Sequence, residues 1–254
     1  LQLSVVRDQG RTTLRPLPAV PDGFHAVIPM MEGTVQPLFH SIVEVQLNGR
    51  NVTALVDTGS PFTFVGYKTA RKAGLVPLRN PDAEPGQPAL YITPLRGIGG
   101  ESSQLLAFAR ELRIGTESIR GLPVGVLYGA QALGGMEWIG FHKVEMVVGN
   151  DLLSRFRKVV FDFPNNRILI DNSEQSFAHS TVAKKSVALV HARPIPVAMG
   201  SLHRRPPVPL AIDTGSDGGL WLPRTLAEQL ALREFRRVIA ERTGRGFGGD
   251  TVYK

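Results

Sequence analysis

Apolar and polar residues alternate in short runs along much of the chain, and turn residues close most of the runs. Glu44-Val45-Gln46-Leu47 has the period of two that turns one face of a strand to a core, and Asn48-Gly49 behind it is a strong hairpin signal. Further strands are predicted over 105–112, 123–127, 158–163 and 167–170, with Pro164-Asn165-Asn166 as the turn between the last two. Helical periodicity is confined to two short stretches. One covers 68–73 and ends at Gly74; the other, 224–230, follows Pro223. With 27 glycines and 19 prolines breaking the pattern, the chain reads as all-β with a few short helices.

The same pattern divides the chain. Residues 1–36 carry many prolines and only weak alternation, which predicts an extended N-terminal arm with one or two edge strands. A first lobe is expected over 37–172. A polar stretch with Lys184-Lys185 at its end, 173–186, is the linker, and a second lobe covers 187–254. The two lobes repeat an order of parts. In the first, Thr53-Ala54-Leu55-Val56 leads into Asp57-Thr58-Gly59-Ser60, then the 68–73 helix, then Arg96-Gly97-Ile98-Gly99-Gly100. In the second, Val208-Pro209-Leu210-Ala211-Ile212 leads into Asp213-Thr214-Gly215-Ser216, then the 224–230 helix, then Arg245-Gly246-Phe247-Gly248-Gly249.

One strand ending in Asp-x-Gly is an ordinary turn. Two in matching contexts suggest two carboxylates brought together across a pseudo-twofold axis. Paired carboxylates share a proton over a wide acidic range, because like charges raise one of the two pKa values. Such a pair can hold a water, the ionised member acting as base and the protonated one as acid. Asp57 and Asp213 are the candidate catalytic residues. Gly59 and Gly215 let the two turns approach closely. Thr58 and Thr214 are expected to bond the opposite loop, and Ser60 and Ser216 to donate to the outer carboxylate oxygens.

The arrangement resembles the retropepsin-like and pepsin-like aspartic peptidases. Residues 96–100 are similar to the glycine-rich flap of the retroviral enzymes. The run Val147-Val148-Gly149-Asn150-Asp151-Leu152-Leu153-Ser154-Arg155-Phe156 resembles their apolar-apolar-Gly segment and following helix, which normally threads under the catalytic loop in a ψ-shaped motif. The likeness covers 43–170 well and 188–249 in part. It implies a bilobal acid-protease fold with pseudo-twofold symmetry and an aspartic endopeptidase activity. The substrate would be a polypeptide bound as an extended strand. Gly97, Ile98, Gly99 and Gly100, and their counterparts Gly246, Phe247, Gly248 and Gly249, would close over it as flaps. No metal, covalent intermediate or cofactor is required.

Two departures from the family pattern qualify that reading. The second segment stops at Lys254 without an apolar-apolar-Gly element, so the missing strands are expected either to have been removed or to come from another chain. The first flap lacks a tyrosine at its tip; Tyr91 lies upstream. The start at Leu1, with no charged-then-apolar leader, reads as a processed or engineered fragment.

Composition limits the alternatives. An apolar fraction of 43% and a charged fraction of 20% over 254 residues are globular values, and no apolar run has the length of a membrane span. Cysteine is absent, which excludes thiolate chemistry and disulfides and leaves the compartment open, periplasmic or secreted ahead of cytoplasmic. The net charge of +7 is spread along the chain, densest at Arg233, Arg236, Arg237, Arg242 and Arg245. That group reads as a solvated face, and no nucleic-acid partner is expected. The six histidines show no paired metal-ligand spacing, and 244–249 lacks the Gly-Lys-Ser/Thr ending of a phosphate loop. The competing function is a non-catalytic peptide-binding or scaffold protein that keeps the fold without turnover. A monomer can complete its own pair of aspartates; a homodimer is the other arrangement.

Overall fold

Asn48 and Gly49 both take positive φ, 51° and 84°, and the turn they make joins two strands in the register that the alternation requires. The computed structural model describes residues 3–8, 11–16, 24–31, 40–86, 89–97, 100–128, 138–139, 142–172, 187–190, 194–202, 206–216, 219–223, 225–226, 242–246 and 249–253. In chain order, β1 (Leu3–Asp8) and β2 (Arg11–Pro16) form an antiparallel pair, and β3 (Ala26–Pro29) follows. Next come β4 (Ile42–Leu47), β5 (Arg50–Val56), β6 (Phe64–Gly66) and the helix α1 (Tyr67–Lys72), which ends at Gly74 with φ 64°. Then follow β7 (Val76–Pro77), β8 (Ile92–Gly97), β9 (Gly100–Ile114), β10 (Glu117–Leu127), β11 (Trp138–Ile139), β12 (His142–Lys143) and β13 (Met146–Val148). The short helix α2 (Asn150–Leu153), β14 (Lys158–Asp162) and β15 (Arg167–Asp171) complete this part, with a 3-10 turn over Phe163–Asn165 between the last two strands.

The sheet closes on itself. Its path runs β10, β6, β13, β5, β4, β9, and β9 pairs again with β10 along most of both strands. Closure removes the free edges among these six strands. β13 lies parallel to β5 and antiparallel to β6. It therefore sits between the strand that leads into Asp57 and the one that leaves the loop after it. β13 and the last three residues of β5, Ala54–Val56, are buried on both faces, which explains why these stretches are apolar without a break. Val43, Val45, Ala54, Val56, Met146 and Val148 face one core cluster; Ile42, Leu55, Phe64 and Val147 face the other.

Residues 26–29 form an edge strand of a three-stranded sheet, β14-β15-β3. β3 pairs with β15, and Ala26 and Ile28 are completely buried in the barrel core, so this stretch is a structural strand of the first unit. Pro29 is compatible with its place on the edge of this sheet.

The C-terminal strands are β16 (Leu189–Val190), β17 (Val197–Gly200) and β18 (Val208–Ala211), an antiparallel three-stranded sheet, followed by the hairpin β19 (Arg242–Gly246) and β20 (Gly249–Tyr253). The linker 173–186, most of the 224–230 helix, and Arg233, Arg236 and Arg237 lie outside the described residues. Among the described residues no helix is long and apolar enough to cross a membrane, which says nothing of crossing by strands.

Candidate active site

β5 and β18 both end in an Asp-Thr-Gly-Ser turn, and the two turns meet tip to tip. Each threonine bonds across to the other loop. The Thr58 N–H donates to Thr214 Oγ1 at 3.1 Å, and the Thr214 N–H donates to Thr58 Oγ1 at 3.0 Å. Thr58 Oγ1 donates to the Ile212 carbonyl at 2.7 Å, and Thr214 Oγ1 to the Val56 carbonyl at 2.9 Å. These four bonds form two reciprocal pairs across the junction.

The glycines show how close the approach is. A Cβ at Gly59 would lie 2.4 Å from Asp213 Cγ, and one at Gly215 would lie 2.4 Å from Asp57 Cγ. Each carboxylate thus occupies the space a side chain on the opposite loop would need. Within its own turn each is held by the glycine two residues on: Gly59 N–H to Asp57 Oδ1 at 2.7 Å, Gly215 N–H to Asp213 Oδ1 at 2.8 Å.

The two carboxyls are unequal in their surroundings. Asp57 is half-buried at the end of a doubly covered strand, whereas Asp213 is exposed. Burial, then the charge of Asp213 and a hydrogen bond with it, push the Asp57 carboxyl up to about 7, against the pull of the Gly59 and Ser60 backbone N–H groups. A pair in that condition keeps one proton through mildly acidic pH, the arrangement needed for one acid and one base side by side.

Ser60 corrects an expectation. Its hydroxyl donates to the Phe62 carbonyl at 2.8 Å and not to the outer carboxylate oxygen; its backbone N–H is the group that bears on Asp57. Ser216 lies in the second turn, half-buried.

The flap candidates are placed in part. Gly97 pairs with Gly100 at the end of the β8–β9 hairpin, and Gly246 pairs with Gly249 at the end of β19–β20. The tips Ile98, Gly99, Phe247 and Gly248 lie outside the described residues. Leu95, on the first hairpin, packs into the cluster with Leu55, Phe64 and Val147. A cavity of about 620 Å³ elsewhere, lined by Met30, Met31, Glu44 and Arg113 among others, includes no residue of either turn.

Sequence reasoning did not single out the side chains that support the first turn from below. Gly149 has no room for a side chain, since a Cβ there would lie 2.4 Å from the Phe62 carbonyl oxygen. Beyond it, Asn150 Nδ2 donates to the Thr58 carbonyl, and Thr63 Oγ1 donates to Asp151 Oδ1 at 2.7 Å. The only signal was the likeness of 147–156 to a threaded segment, which names the crossing without naming the bonds.

The family model described as aspartyl protease matches residues 43–151, under half of the chain and including the first Asp-Thr-Gly-Ser only. None of the curated proteins matches. Among solved structures, a retropepsin-like aspartic protease from Rickettsia conorii is similar at 15% identity and a TM-score of 0.35, covering 57% of this chain and 88% of its own. The retroviral protease-like domain of Ddi1 from Leishmania major is similar at 18% identity and a TM-score of 0.32, covering 52% of this chain and 89% of its own.

Proposed function

We propose that this chain is a retropepsin-like aspartic endopeptidase that hydrolyses peptide bonds with a water held between Asp57 and Asp213. The observation that carries the reading is the reciprocal crossing of the two Asp-Thr-Gly turns, in which each glycine leaves room for the other aspartate. Two carboxylates held this close serve no packing purpose, because like charges at such a separation oppose folding unless a proton is shared. The aspartyl protease match over 43–151 supports the same reading.

In this mechanism the pair carries one proton, with the half-buried Asp57 as the acid and Asp213 as the base. The Asp213 carboxylate takes a proton from the water as its oxygen attacks the scissile carbonyl carbon, while the Asp57 O–H donates to the carbonyl oxygen. The tetrahedral diol then collapses: the nitrogen gains a proton, the C–N bond breaks and the pair returns to its one-proton state. The substrate would lie extended between the barrel and the C-terminal strands as two lobes about a pseudo-twofold axis, with the β8–β9 and β19–β20 hairpins closing over it.

The test is cleavage of an unfolded protein from pH 3 to 8 by the wild type, Asp57→Asn and Asp213→Asn. Each substitution is expected to lower kcat by about 10²–10⁴-fold, the usual contribution of a positioned acid or base. Loss in Asp57→Asn alone would point to a pair built from two copies of the first turn in a dimer. Binding of the peptide with equal absence of turnover in all three proteins would favour the scaffold alternative.

A further inference from the structure

We infer that Asn150 is a positioning residue whose side-chain amide fixes the Thr58–Gly59 peptide plane so that the Gly59 N–H points at the Asp57 carboxylate. The inference rests on reading Asp57 as half of a catalytic pair. In a trans peptide the carbonyl and the N–H point in opposite directions. The Thr58 carbonyl accepts from Asn150 Nδ2, and the N–H of the same peptide unit donates to Asp57 Oδ1 at 2.7 Å. Holding one end of that unit sets the other.

The neighbouring units follow the same rule. The Asn150 backbone N–H donates to the Ser60 carbonyl at 2.9 Å, and the Asp151 N–H to the Pro61 carbonyl at 3.2 Å. The carbonyl side of the turn therefore faces residues 150–151, and the Gly59 amide is left facing the carboxylate. Asn150 is itself held firmly. The Gly149 N–H donates to Thr63 Oγ1 at 3.1 Å, Thr63 Oγ1 donates to Asp151 Oδ1, and the Leu152 N–H donates to that same oxygen at 2.9 Å. The β13 strand brings these residues there in register, with Val148 opposite Val56 and the Val148 carbonyl accepting from the Asp57 N–H at 3.0 Å. A side chain with a donor is required at 150: leucine fills the space without one, and aspartate would turn an acceptor onto the Thr58 carbonyl.

The consequence is electrostatic as well as geometric. An N–H aimed at a carboxylate favours its ionised form. Among the described residues, the charged and titratable groups at this network include Asp213, opposite Asp57, Asp151, whose Oδ1 is turned to Thr63 and the Leu152 N–H, and Arg155, whose Nε donates to the Asp151 carbonyl at 3.4 Å. Losing the Asn150 bond loosens the Gly59 N–H and raises the upper titration step of the aspartate pair.

The experiment follows the carboxyl ¹³C titration of the aspartates in the intact chain, alongside kcat and KM from pH 3 to 8, for wild type, Asn150→Ala and Asn150→Leu. Leucine keeps the bulk, so it serves where alanine fails to fold. The upper step of the pair is expected to rise by about one unit in both variants relative to wild type. The descending limb of kcat should move with it, and kcat should fall about tenfold to a hundredfold while KM changes little. An unmoved titration step overturns the inference, even if activity falls, because Asn150 would then act only through stability. A step shifted in the variants, alongside a wild type that cleaves nothing, overturns the peptidase reading and leaves the link from Asn150 to Asp57 standing.

Discussion

Glycine at 59 and 215 answers to the carboxylate opposite it rather than to its own backbone angles. A methyl group at either position would meet a carboxyl carbon at 2.4 Å, and the intruding contact cannot be relieved without moving Asp213 or Asp57. Gly59→Ala is therefore expected to cut cleavage by about a hundredfold or more, the cost of roughly an ångström of misplacement at reacting groups. The barrel should still melt as one transition, since the added methyl points into the junction and not into the core. Wild-type turnover by Gly59→Ala would show that the two turns do not approach as described. These residues were legible in sequence because the motif is repeated. The role of Ser60 was not, because a serine hydroxyl has several acceptors within two residues, and here the Phe62 carbonyl captures it.

At the scale of elements, the apolar-apolar-Gly stretch at 147–149 does more than fill a core. β13 must pass close enough under the first turn for Gly149 to touch the Ser60 and Phe62 carbonyls, where a Cβ would lie 2.9 and 2.4 Å from their oxygens. These are backbone atoms, so neither side can swing away. Gly149→Ala is expected to destabilise the chain by about 1–3 kcal/mol, the range of an overpacked core site. The measurement is the urea midpoint at constant slope; an unchanged midpoint would mean that strand and turn separate without cost. Sequence made the strands around this crossing visible wherever alternation or a turn dipeptide marked them, as at Glu44–Gly49. It did not show the pairing of the edge strand β3, whose partner β15 lies far along the chain. It also hid the Thr63–Asp151 bond, which joins residues 88 positions apart and leaves no local pattern.

For the molecule as a whole, the pair of aspartates is a local liability that pH controls. In the unfolded chain Asp57 gives up its proton near 4; in the folded chain burial and Asp213 hold it to about 7. Between those values the folded state binds the extra proton, so the slope of unfolding free energy against pH is negative there. The stability this group contributes is complete below about 4 and is lost as pH rises through about 7, opposite in sign to a carboxylate held by a salt bridge. Asp57→Asn removes that titration while keeping the shape of the side chain. The difference in melting temperature, wild type minus Asp57→Asn, is accordingly expected to fall from pH 4 to pH 7 and to level off above. Carboxylates away from the pair titrate alike in both proteins and cancel in the difference, which therefore reports the coupled pair of Asp57 and Asp213. A difference that stayed flat across this range would mean that Asp57 ionises in the folded chain as it does in the unfolded one. The two turns would then not hold their carboxylates close enough to share a proton, and the one-proton state that the proposed hydrolysis requires would be lost with it.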